Sequence, residues 1–144
     1  MAYPNTQPIY AKDGNLTASN STTMTQGMVT ATGDYTGASA NHVLAFTAGA
    51  QGAYLKKIKF VATGTNTATV ARIYLNNGSV NTTAANNQLI GQISLPGTTA
   101  INTAATTEPE YTLEFAIPAS FRIYIGLGTT VAALWVPTVY GGNY

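Results

Sequence analysis

Cysteine is absent from the 144-residue chain, and charge is scarce. Without thiols there is no disulfide framework, no thiolate zinc or iron–sulfur site and no cysteine nucleophile. Lys and Arg number 6 and Asp and Glu 5, together 8% of the residues, with a net charge of +1; about 25% is usual. So neutral a chain has no long-range field to steer nucleic acid, an anionic membrane or an acidic ligand, and none of these is expected as a partner. The only histidine, His42, has no cysteine or second histidine to share a metal, and beside Val43 and Leu44 it reads as structural. The longest strongly apolar run, Val131 to Val136, is far too short to cross a bilayer as a helix. The first residues show neither the basic nor the apolar region of a secretory signal, so a soluble chain or part of a soluble assembly is expected.

Leu, Ile, Val and Phe number 30 of the 144 residues, just above the ~20% below which disorder is suspected. One folded domain is therefore expected. These core formers are unevenly spread, since residues 1–40 hold only Ile9, Leu16 and Val29. Residues 1–40 accordingly read as an extended N-terminal arm, rich in Thr, Asn, Ser, Ala and Gly, with one short strand at Met28–Thr32. Residues 41–144 read as a β-sandwich, jelly-roll-like.

Beyond residue 40 apolar residues recur with period two and no window favours a helix. Strands are expected at His42–Thr47, Tyr54–Ala62, Thr67–Leu75, Gln88–Leu95, Tyr111–Ile117, Phe121–Leu127 and Val131–Tyr140. Within the second, Ile58 and Phe60 face one way and Lys57 and Lys59 the other, while Lys56 breaks the alternation and predicts a bulge. Asn76-Asn77-Gly78-Ser79 predicts a turn, and Pro96-Gly97 ends a strand. Pro118-Ala119-Ser120 separates two well-patterned strands, which predicts a hairpin with Phe115 opposite Ile123 and a Glu114–Arg122 ion pair on its outer face. Outer-face positions such as Thr67, Val70, Tyr74, Thr112, Tyr124, Leu134 and Thr138 carry few charges, although an antiparallel sheet facing water normally shows Lys and Glu there. The expectation is that neighbouring molecules in an assembly cover these faces.

Catalytic patterns are weak. Glu108 and Glu110, two apart at a strand entry, would have Cα atoms ~6.6 Å apart if extended, near the separation a glycosidase needs. Pro109 between them favours solvated loop carboxylates instead. Asp13-Gly14-Asn15 begins like a calcium loop, but Ala18 and Met24 stand where Gly and Glu are required. Asp34 and Glu108 are the least implausible calcium ligands elsewhere. No Gly-x-Ser-x-Gly elbow, phosphate loop or dinucleotide fingerprint occurs. Lys56-Lys57-x-Lys59 is the one basic cluster, and alternation divides it between faces, as in a solvated strand. No enzyme and no cofactor are expected.

Aromatic residues are better represented: 9 Tyr, 4 Phe and 1 Trp. Trp135 reads as core, while Tyr3, Tyr10, Tyr35, Tyr140 and Tyr144 read as candidates for a protein interface. Stacking on sugar rings is the competing use for exposed tyrosines.

The C-terminal run Ile117-Pro-Ala-Ser-Phe-Arg-Ile-Tyr-Ile-Gly-Leu-Gly-Thr-Thr-Val-Ala-Ala-Leu-Trp-Val, closing with Tyr140-Gly-Gly-Asn-Tyr144, resembles small virion proteins of tailed bacteriophages. It is similar to their "LPAGxRLYVGLGT, VAAGW, GGDY" ending. The likeness covers about residues 42–144 and is clearest over the last 30. It departs at Leu134, where the family has Gly, and at Asn143, where it has Asp. The resemblance implies a capsid decoration or cement protein, a homotrimer bound to the major capsid protein at the virion surface. A tail-fibre or receptor- or carbohydrate-binding module is the alternative.

Overall fold

The computed structural model describes residues 27–32 and 35–144, together with the backbone of 13–17. Eight strands follow one another: β1 (Asp13–Thr17), β2 (Val43–Thr47), β3 (Ala53–Ala62), β4 (Thr69–Asn76), β5 (Asn87–Leu95), β6 (Glu110–Ile117), β7 (Arg122–Leu127) and β8 (Trp135–Asn143). The only helical element described is a 3-10 turn at Ala84–Asn86. The strands form two four-stranded antiparallel sheets, sheet A in the order β1-β8-β3-β6 and sheet B in the order β2-β7-β4-β5. Successive strands alternate between the sheets except for β4 and β5, which pair as a hairpin within sheet B, giving the interleaved order of a jelly roll. The all-β sandwich read from the sequence is thus the fold.

Period-two patterning explains the core. Ile58, Phe60, Ile73, Ile123, Ile125, Leu127, Trp135 and Val139 are fully buried between the sheets. Lys56 sits where the β3–β8 register shifts between Leu55 and Lys57, the bulge its broken alternation predicts. The extra residue lets Leu55 and Ile58, three apart, both face the core. Asn76 and Asn77 accept backbone N–H bonds from Gly78 and Ser79 through their side-chain oxygens at 2.8 and 3.0 Å, building the expected turn.

Three expectations need correction. The β6–β7 hairpin does not form: β6 pairs with β3, whereas β7 pairs with β2 and β4 in the opposite sheet. Both strands keep their apolar faces, and Pro118–Ser120 carries the chain from one sheet across to the other, so no Glu114–Arg122 pair exists; Arg122 donates to the Ser79 carbonyl instead, at 3.4 Å. Met28–Thr32 is no regular strand but makes single bridges, Met28 to Trp135 and Ala31 to Leu127. The segment does contain a strand, β1, whose backbone pairs with β8 from Asp13↔Asn143 to Thr17↔Val139. Finally, Val131–Leu134 is a loop, and the last strand starts at Trp135.

Candidate interaction surface

The outer face of sheet B is covered by the chain itself. Arg72, Tyr74, Tyr124 and Gly126 point away from the core, yet Arg72 is 9% exposed, Tyr74 0% and Tyr124 8%. Residues 35–42, with Thr32, lie across them. The Tyr35 ring stacks on the Arg72 guanidinium with its centroid 4.2 Å away, and His42 stacks on Tyr74 at 4.7 Å. Gly126 lies directly under Thr32 and His42, where a Cβ would come within 2.6 Å of both. Thr32 N–H donates to Leu127 O at 2.9 Å, and Asn81 and Asn87 donate to the Ser39 and Gly37 carbonyls at 3.0 and 3.3 Å. For this face, the expectation that a neighbouring molecule provides the cover is replaced by an intramolecular strap.

The outer face of sheet A collects the charge. Lys57 binds both Glu110 oxygens, at 2.8 and 2.9 Å, and lies 5.1 Å from the Tyr140 ring centroid. Lys59 pairs with Glu108. That carboxylate, chiefly through its hydrogen bond, raises the Lys59 pKa above its ordinary 10.5. Together with exposed Lys56 and Glu114, these groups make an alternating charged face of the kind a sheet shows to water. The two glutamates considered for glycoside hydrolysis are therefore occupied by lysines on an open sheet surface. Exposed ion pairs of this sort contribute little stability.

One end of the sandwich is uncharged. Residues 63–68, 96–107 and 128–134 gather there with ten threonines and no ionisable side chain. Asn66, 6% exposed, is their hub. Its backbone exchanges N–H···O bonds with Thr98 at 3.0 and 2.9 Å, and its side-chain oxygen accepts the Ala133 N–H at 2.7 Å. Thr98 Oγ1 donates to Gly64 O at 2.7 Å, Thr65 Oγ1 accepts Ala100 N–H at 3.0 Å, and Thr129 Oγ1 bonds Thr69 Oγ1 at 2.8 Å. The backbone of three loops is thus held by side chains, which leaves a fixed, neutral, hydroxyl-rich surface with Ile101 54% exposed at its rim. Composition signals the threonines, but nothing in the sequence marks Asn66 as the hub or Tyr35 as the cover of Arg72.

The three described tyrosines among the interface candidates do not converge. Tyr35, 62% exposed, lies over sheet B, while half-buried Tyr140 is on sheet A under Lys57. Half-buried Tyr144 donates its backbone N–H to Gly52 O at 3.2 Å. Tyr3 and Tyr10 lie outside the described residues, as does Asp34. Glu108 is the lysine-bound partner just described, and among the described residues no three His, Asp or Glu side chains cluster as a metal site. An open cleft of about 160 Å³, lined by Leu75, Asn77, Asn86, Gln88 and Phe121, is below the ~300 Å³ typical of small-molecule sites. Trp135 is buried, as expected.

Both departures from the phage-protein ending have structural partners. Asn143 accepts the Gly49 N–H through its side-chain oxygen at 2.9 Å, closing the β2–β3 turn, a task an aspartate oxygen can also perform. Leu134 packs against Gly27, where a Cβ would meet it at 2.7 Å. Comparisons with protein-family models, curated proteins and solved structures find no match for this chain.

Proposed function

We propose that the protein is a non-enzymatic virion component, a capsid decoration or cement protein that associates as a homotrimer and stabilises the shell by bridging subunits of the major capsid protein at the virion surface. The observation that carries this reading is the partition of the surface. Among the described residues most of the charge is gathered along the outer face of sheet A, while the threonine-rich end and the edge strand β5 carry none. A neutral surface with fixed main-chain geometry is inexpensive to desolvate and suits a permanent contact, whereas the charged sheet suits solvent. The C-terminal resemblance points the same way. In this arrangement the neutral end lies on the shell and sheet A faces outward, and burying ~1,000 Å² or more per site holds neighbouring subunits together.

The test is to add purified protein to shells that lack it and follow their thermal disruption. Saturable binding with a higher disruption temperature is expected, and shells indifferent to the protein would overturn the reading. The tail-fibre or carbohydrate-binding alternative rests on exposed Tyr35 and Tyr54; glycan-array binding lost on Tyr35→Ala or Tyr54→Ala favours it instead.

A further inference from the structure

The two sheets part along the side where β5 and β6 are both edge strands, linked there by the Tyr111 hydroxyl donating to Ile90 O at 3.3 Å. Ile90, Ile93, Tyr111, Leu113 and Phe115 pack on the core from within but stay half-exposed along this side. The described sheet edges differ in how they resist pairing. β1 and β2 have five residues each, and β2 is interrupted by a register shift between Leu44 and Phe46. β6 carries Glu110 and Glu114, the latter twisted into the left-handed region at φ 53°. β5 runs nine residues with neither charge nor proline, and its one irregularity faces β4. Charges, bulges and shortness are what normally keep an edge from acting as a template.

We infer that the β5–β6 side is the surface on which a second copy of this chain docks, with β5 offering its free main-chain groups and the apolar strip supplying the buried area. This rests on the reading above that copies of the chain associate, but not on its trimer: β5 meeting its own copy is a two-fold contact, which closes as a dimer, and the mass from light scattering separates the two. A nine-residue strand is ~30 Å long, and two sheets ~10 Å apart with their side chains give a width of ~20 Å. That is ~600 Å² per copy and ~1,200 Å² per contact, the lower bound for a stable association. Charge also selects the occupant: β5 meets a copy of itself without like-charge repulsion, and the Lys–Glu rows of sheet A point away from the contact.

Light scattering after size exclusion tests this. The Gln92→Lys/Ser94→Lys double variant places two charges at exposed β5 positions, and association at least tenfold weaker is expected with unchanged circular dichroism. Thr138→Lys, on the outer face of β8, should leave association unaltered. Because the chain has no other thiol, Gln92→Cys labelled with a bulky maleimide provides a second block that should also give monomers. If both β5 variants stay fully associated, the β5–β6 assignment is wrong while the oligomeric reading stands. A monomeric wild-type protein overturns both.

Discussion

Asn143 shows how a single side chain closes a turn that the strands alone leave open. Its oxygen satisfies the Gly49 N–H, so Asn143→Asp should leave the denaturation midpoint nearly unchanged, whereas Asn143→Ala should lose ~1 kcal/mol in urea unfolding. Equal losses in the two variants would contradict the hydrogen-bond role. Gly52 makes a steric demand in the same region: at φ +84° its Cβ position falls 2.6 Å from Ile117 O. Gly52→Ala should therefore destabilise by ~1–3 kcal/mol, measured by the same unfolding. At Lys59 the prediction concerns pH. A raised pKa means the Glu108 contact adds stability that is fully present below pH 10.5 and is lost as pH rises through the higher folded value. NMR titration of the Lys59 side chain should give a midpoint above 10.5, and Glu108→Gln should lower it.

Among the elements, the strap across sheet B and the Asn66 hub do what hydrophobic patterning does elsewhere. Asn66→Ala leaves the Ala133 N–H without its acceptor, and a loss of ~1–3 kcal/mol is expected. Hydrogen exchange should speed up first at Ala133, while the Thr98 N–H, held by the Asn66 backbone, follows; uniform change across the sandwich would contradict a hub. Much of this level is legible in the sequence. Period-two alternation identifies the core faces of β3, β4, β6 and β7, the misplaced Lys56 marks its bulge, and Asn-Asn-Gly-Ser marks its turn. Alternation states which way a side chain points, however, and not which strand lies alongside. The same Leu113, Phe115, Ile123 and Ile125 pattern fits a hairpin or two facing sheets, and the structure takes the second. β1 is built from Asp-Gly-Asn-Leu-Thr, whose backbone pairing with β8 has no apolar pattern to announce it. The strap escapes for a similar reason, since Tyr35 on Arg72 and His42 on Tyr74 are contacts across sequence between residues that each look exposed.

Across the whole molecule, the shortage of charge has two causes that composition alone does not separate. Part of it is internal, because the outer face of sheet B is dry under residues of the same chain. Removing residues 1–40 therefore takes away β1 and most of the strap, leaving only the His42 end, and should destabilise the sandwich as well as weaken any attachment. The remainder is external, on the threonine-rich end and along β5. These neutral surfaces are the ones assigned to contacts with the shell and with other copies, while sheet A keeps the Lys–Glu face that water favours.

Such an interface is distinguished from an electrostatic one by its response to salt, because contacts made by neutral hydroxyls, main chain and apolar side chains are not screened. The most direct measurement is co-sedimentation of the purified protein with shells lacking it, at 50 mM and at 500 mM salt. Saturable binding with affinity changed less than about threefold between the two is predicted. Failure to co-sediment, or binding at low salt that is lost at high salt, would contradict attachment through the uncharged surface.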